Sequence, residues 1–479
     1  MGKVERVVFL SLVLDLFAFT IPLPLFPRII EWYTKRESSD LNGFLSRTLS
    51  LVSGFRSLLY KPSSNPQKWD IVLLGGLMGS VFSALQWFIS PYIGSLSDKY
   101  GRKRVLLITM IGNLLSAIVW LQSTSFASYL LSRVIGGLSE GNVQLAIAIL
   151  SDVTTPETRA KALAHVGIAF AICFCIGPPI GAYFASRPLP RSITASGFEL
   201  NVYAGPAALT LVLLTLETIF LVFALPETRG KAAQKPVVNG SAKAAVNGKT
   251  NGTARTSRQA TVAERLKMLK TLQRLHFLFL GIFSGVEFTL TFLTFDLFDW
   301  NNKQNGTLIG SIGIISAILQ GGYVRRAMSR VGEGKMALRG ISSCALGLIF
   351  LTILPHFVES RPTIAVRLLQ AAAVCMAMTS ATVVNSLTAF ASLQTDDVTV
   401  DSDTGKAMKE HPDLAKGKAL GKFRSSGQLG RAIGPLLACA SYWTFGPSLT
   451  YAVSAVAMYA LVGYMRRVTR GTTITVKTQ

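Results

Sequence analysis

The chain has 479 residues, 50% of them hydrophobic and only 15% charged, with a mean hydropathy of +0.42. Soluble proteins carry about a quarter charged residues, so this composition excludes an ordinary soluble domain and indicates an all-α polytopic membrane protein. The formal net charge of +23, from 48 Lys and Arg against 25 Asp and Glu, would suit nucleic acid in a soluble chain. Here it alternates between loops, with roughly three times as many cations on one side, which is topology information and argues against nucleic acid as a partner.

A bilayer core takes about 20 apolar residues per helix. That window predicts twelve spans, at 7–30, 70–95, 104–123, 126–150, 161–186, 202–225, 273–299, 305–326, 336–356, 361–393, 418–442 and 445–465. Span 1 contains Asp15 and several prolines and lacks a small-residue cleavage site, so it reads as a retained helix and not a signal peptide. A long, net basic loop follows at 28–68. The charge bias puts both termini in the cytosol, in the plasma membrane or an organelle membrane. All five cysteines, Cys173, Cys175, Cys344, Cys375 and Cys439, fall inside spans, against a disulfide framework or zinc site.

The organisation expected is an N-terminal six-helix half at 1–225, a basic and largely disordered cytosolic linker at 226–272, a C-terminal six-helix half at 273–466 and a cytosolic tail at 467–479. The linker is poor in aromatics and ends in a basic amphipathic stretch, AERLKMLKTLQRL. Its sequons at Asn239 and Asn251 should stay unmodified in the cytosol. The halves echo each other. FSALQ ending at Gln86 matches ISAILQ ending at Gln320, and Ile176-Gly177-Pro178 of span 5 matches Ile433-Gly434-Pro435 of span 11. Matches at equivalent spans predict a parallel repeat whose halves rock about a central site.

Between spans 2 and 3 the chain reads GSLSDKYGRKRVLL, from Gly94 to Leu107. This resembles the signature loop of the major facilitator superfamily, G-x-L-x-D-[RK]-x-G-R-[KR], complete at its specific positions. LDLFAFTIPLPLFP from Leu14, Arg133-Val-Ile-Gly-Gly137, and Gly177-Pro178-Pro-Ile-Gly181 are similar to patterns of the superfamily's tetracycline and multidrug efflux branch. In the last of these Cys173 replaces a glycine of the fuller antiport motif. SRVIGGLSEGNVQLA and GVEFTLTFL resemble the branch's eukaryotic, tetracycline transporter-like members. Gln320 through Glu333 is similar to a degenerate second copy of the loop.

The loop's chemistry can be read residue by residue. Gly101 permits a tight turn and Gly94 a close helix approach, while Arg102, Lys103 and Arg104 hold the loop in the cytosol. Asp98 is not needed for topology. The resemblance implies that it sits under the N-terminus of span 11 while Arg102 pairs with Asp152, forming a conformational latch. A solvated loop that only fixes orientation is the alternative.

Counting about 1.5 Å per residue places Glu140, Glu287 and Arg431 near the midplane, with Asp15 and Arg133 at shallower depth. Charges at such depth face a cavity or a partner. Arg133 and Glu140 are expected on one helix face with Gly137. Glu287, in an apolar and aromatic run, is the first candidate for proton coupling and Asp15 the second. Arg133, Glu140, Arg431, Gln86, Asn113, Gln320 and Asn385 are candidate substrate-binding residues, the arginines favouring an anionic or amphiphilic organic solute. No Walker motif or metal-ligand spacing occurs, so no cofactor is expected and energy should come from an ion gradient.

The reading is a monomeric secondary transporter, not an enzyme, that exports small organic molecules such as drugs or organic anions by proton antiport. The alternatives are a facilitative or proton-symport importer of the same fold, and a non-transporting scaffold or solute sensor working through the linker and the loop at 394–417.

Overall fold

A computed structural model of the chain describes residues 2–22, 25–37, 40, 42–59, 66–185, 203–229, 261–300, 302–395 and 411–477. Among them there is no strand. The helices are α1 (Lys3–Thr20), α2 (Phe26–Arg36), α3 (Phe44–Leu59), α4 (Pro66–Tyr100), α5 (Arg102–Leu121), α6 (Phe126–Ser139), α7 (Asn142–Val153), α8 (Pro156–Ala185) and α9 (Ala204–Ala224) in the first part of the chain. After the linker come α10 (Val262–Phe298), α11 (Asn302–Ile318), a π-helical segment Leu319–Val324, α12 (Arg325–Val331), α13 (Glu333–Ile353), α14 (Pro362–Leu393) and α15 (Lys416–Lys477).

Ten helical stretches are long and apolar enough to cross a membrane. To these α1 is added, since its apolar length is interrupted by Lys3, Glu5, Arg6 and Asp15. The final stretch is two spans joined at Gly446, whose φ of 79° and ψ of 170° break the helix before Pro447. The described residues thus form twelve spans. One core is built from α1, α5, α7, α8 and α9, around Leu12, Met110, Ile149 and Leu221. A second runs through α10, α13, α14 and α15, around Phe279, Leu348, Leu369 and Met458.

Three expectations differ locally. Span 1 ends at Thr20 and not near residue 30, and the 28–68 loop carries α2 and α3. Pro22 lies just after α1, and a proline lacks the N–H needed to continue a helix. These helices are pinned to the bundle: Tyr33 is fully buried and its hydroxyl lies 2.9 Å from Ser123 Oγ, and Glu37 Oε1 accepts from the Phe126 N–H at 2.7 Å, capping α6. Span 4 is broken into α6 and α7 at Glu140-Gly141. The amphipathic stretch before span 7 forms the first turns of α10, which starts at a Thr261/Glu264 capping box. Linker residues 230–260, with Asn239 and Asn251, and residues 396–410 lie outside the described residues.

The repeat is visible in the turns and in the packing. Gly101 (φ 101°, ψ 152°) and Gly332 (φ 84°, ψ 154°) start α5 and α13 with the same left-handed backbone. Gly177 of α8 packs on Thr20 of α1, and its counterpart Gly434 of α15 packs on Gly281 of α10. Pro178 and Pro435, next to these glycines, stay within their helices. Gly181 lies against the Ile21 carbonyl, and Gly137 against Phe82 and Leu85.

Candidate functional site

Two groups of polar residues join the halves. The first lies at the end of the bundle where α4 turns into α5. Asp98 Oδ1 accepts from the Gly417 N–H at 2.9 Å and Oδ2 from the Lys418 N–H at 2.7 Å. These are among the first backbone donors of α15, which have no partners within their own helix, and the macrodipole there favours an anion. Arg102 is fully buried. Its Nε donates to Asp152 Oδ2 at 2.9 Å, Nη1 to Ser97 Oγ at 2.6 Å, and Nη2 stands 2.9 Å from Asp98 Oδ1. Lys416 Nζ approaches Asp152 Oδ1 at 3.5 Å. Gly94, Asp98, Gly101, Arg102 and Asp152 are therefore brought together.

Glu227, not singled out in the sequence, completes this network. Its carboxylate accepts from the N–H groups of Arg102 at 2.7 Å and Lys103 at 3.2 Å. The signal was present in LPETRG, an acid just beyond the sixth span. Small residues let α4 and α15 close on each other at this end. Gly94 abuts the Gly417 carbonyl, Gly421 faces Ser90, and Ser425 Oγ donates to the Trp87 carbonyl at 2.6 Å. Arg159 of α8 adds another tie: its guanidinium donates to Ser151 and Thr154 carbonyls, each at 3.0 Å, and across the interface to the Ser392 carbonyl of α14 at 3.3 Å.

The second group lies inside the bundle. Asp15 on α1 is buried, and Asn142 Nδ2 donates to its Oδ1 at 2.6 Å. Glu140 sits at the break between α6 and α7, with φ −71° and ψ 89°. Arg133 and Glu140 were expected on one helix face; Glu140 ends α6 with a helical φ, so the chain departs only after it and the two keep that register. The break falls where a Cβ added to Gly141 would lie 3.0 Å from the Ile93 and Thr109 side chains. Both residues line one cavity of about 60 Å³, with Asp15, Phe82, Asn113, Ser116 and Thr210. That is room for a few waters. The Arg133 guanidinium stands over the rings of Trp120 (5.5 Å) and Tyr129 (5.7 Å), a cation–π setting.

Arg424 of α15, absent from the sequence reading, enters this group from the other half, within electrostatic reach of Glu140 and Asp15. Glu217 of α9 was also missed. It is fully buried and accepts from Ser11 Oγ at 2.7 Å. Glu217 stood in plain view as a lone charge in an apolar span, whereas Arg424 follows Lys416, Lys418 and Lys422 and reads as part of that basic run. Arg431 is half-buried seven residues beyond Arg424.

Other candidates separate. Glu287 was expected to be enclosed by its apolar neighbours, but its side chain is exposed. On a helix those neighbours point elsewhere: Val286 and Leu290 are buried, and Phe288 turns towards Gly76 of α4. Gln320, in the π-helical segment, and Asn385 of α14 meet at Gly167 of α8, away from the cavity. Gln86 is buried on α4. His276 is buried within α10 and stacks on Phe423 at 4.2 Å. Among the described residues no cluster of three His, Cys, Asp or Glu could hold a metal ion.

Twelve apolar spans in two six-helix halves, joined at one end by an acid-capped helix, give the architecture of a polytopic membrane transporter. The profile of the Major Facilitator Superfamily matches residues 8–399, and the chain belongs to that family. It is 33% identical over 457 residues to major facilitator superfamily domain-containing protein 10 of Mus musculus, covering 94% of this chain and 90% of the mouse protein. The class B tetracycline resistance protein of Escherichia coli is 22% identical over 288 residues, covering 60% and 64% of the two chains. The crystal structure of the human organic anion transporter MFSD10 (TETRAN) superposes with a TM-score of 0.75 at 29% identity, covering 97% of this chain and 99% of that one.

Proposed function

We propose that this chain exports small organic anions or amphiphiles by alternating access, powered by inward movement of protons. The observation that carries this is the cavity that Asp15, Glu140 and Arg133 line together, with Asp15 buried and held by Asn142 and Arg424 of the other half within electrostatic reach. Two carboxyls and one cation divided between moving halves change each other's charge balance when the halves separate, which is what coupling a proton to a conformational step requires. The break at Glu140 supports the same reading, since interrupted helices expose backbone dipoles to ions and substrates. The names of the relatives, an organic anion transporter and a tetracycline resistance protein, agree with the solute class.

In this reading the Asp98 end is cytosolic, both termini lie there, the structure is closed to the cytosol, and the protein works as a monomer. The Asp98–α15 contact holds that closure and must break once per cycle. Asp15 is the leading proton-coupling residue, and Glu287, with its exposed carboxyl, a subordinate one. Arg133, Asn113 and Arg431 serve the solute, with Gln86, Gln320 and Asn385 acting nearer the closed end. The test is transport in proteoliposomes under an imposed pH gradient. Accumulation against an outward-directed organic anion gradient that reverses sign with the pH gradient is expected; transport indifferent to pH would overturn the coupling.

A further inference from the structure

Glu217 stands alone as a charge in the run LVLLTLETIFLVFA of α9. Nothing of its side chain is exposed. Oε1 accepts from Ser11 Oγ at 2.7 Å, while Oε2 is buried without a hydrogen-bond partner. Among the described residues no cation of the surrounding elements pairs with it; on α1, Lys3 and Arg6 lie in the first turns, before Ser11. On α1 the nearest ionisable group is Asp15, one turn beyond Ser11, with Glu140 behind it. On α5 the cations lie at the start of the helix, and Lys103 Nζ is held by the Val222 carbonyl at 2.8 Å. On α8, His165 packs edge-on to Phe9, and Cys173 Sγ donates to the Val13 carbonyl.

An ionised carboxylate buried with one donor and no counter-ion is prohibitively unstable, and two like-charged neighbours worsen it. A neutral carboxylic acid satisfies the same site, with Ser11 donating to its carbonyl oxygen and the proton on Oε2. Asp15 differs: it borders the water-sized cavity and has Arg424 within electrostatic reach.

We infer that Glu217 is a second proton-binding site, occupied in this conformation and set back from the cavity that Asp15 lines, so that the two carboxyls form a store with one fast and one slow site. The proton passes between carboxyl oxygens with no change of covalent partner other than its own, Asp15 taking it from cavity water and Glu217 holding it when Asp15 is ionised. The transport consequence rests on the proton-coupled reading above; the occupancy of Glu217 does not.

Infrared spectroscopy of the purified, reconstituted protein tests occupancy. At neutral pH a buried carboxylic C=O band that shifts only slowly in heavy water is expected, lost in Glu217→Gln and retained in Glu287→Gln. The same slow band in Glu217→Gln would overturn the inference. Should that variant fail to fold, Glu217→Asp decides, because it must keep a slowly exchanging band and its absence is equally fatal. In proteoliposomes, Glu217→Gln should lower the number of protons exchanged per solute while leaving solute exchange in place; an unchanged ratio would also overturn the store. If instead the unaltered protein moves solute without protons, the coupled reading fails while the infrared result stands by itself.

Discussion

The carboxylate of Asp98 caps a helix that begins 318 residues later in the chain: its Oδ2 lies 2.7 Å from the Lys418 nitrogen. An N-cap normally comes from the residue just before its helix. Here it comes from the opposite half, so the helix end is satisfied only while the halves meet.

Asp98→Asn should therefore fold and insert normally but favour opening at this end. Hydrogen bonds to a charged acceptor are worth about 1.5–3 kcal/mol each, so the closed-to-open ratio should fall on the order of tenfold to a hundredfold. Labelling of a Ser90→Cys reporter, at a position fully buried in the closed form, would measure it. Unchanged labelling with unchanged transport would reduce Asp98 to a topology signal.

Gly94→Ala should act on the same equilibrium by a steric route. An added methyl would lie against the Gly417 carbonyl, with its carbon only 2.7 Å away, and backbone cannot yield as a flexible side chain can. Normal expression with transport reduced about tenfold or more is expected, and the same reporter should become accessible. Full transport activity would show that the two helices never close this tightly.

Asp15→Asn should abolish gradient-driven accumulation while exchange between equal solute pools survives, because exchange needs the conformational step but no net proton movement. Glu287→Gln, at the exposed and subordinate carboxyl, should lower accumulation only in part and leave exchange in place. The two measurements side by side in proteoliposomes rank the carboxyls; the reverse ranking would restore Glu287 as the coupling residue.

Asp413, before α15, gives a sign-determined pH effect. Hydrogen bonds from Lys418 and Lys422 hold its carboxyl below the ordinary range. A depressed folded-state value means its stabilisation is complete above the unfolded pKa of about 3.9 and is lost as pH falls through the folded one. The side chain is 44% exposed, so screening limits the effect to about 1 kcal/mol or less. Asp413→Asn should shift thermal stability equally at pH 6 and pH 8. A difference growing between those values would mean a proton-binding role that its ion pairs do not explain.

Much of this protein was readable in one dimension. The number of spans follows from apolar length, because a bilayer demands backbone hydrogen bonding within each helix. The family and the signature loop were legible because they depend on residue types at short spacing, while the pairing of Arg102 with the distant Asp152 was expected only from the family resemblance. Tertiary structure alone decided which charges face which. Helix rotation left Glu287 exposed while Val286 and Leu290 are buried, although the run around it reads as uniformly buried. The break at Glu140 falls at Gly141-Asn142, two weak helix formers, in a span whose apolar length reads as one continuous helix. Arg424 and Glu217 lie 207 residues apart and gain their meaning only by meeting Asp15's group in space. The bilayer sets each helix independently, whereas the environment of a buried charge is made by helices from distant parts of the chain.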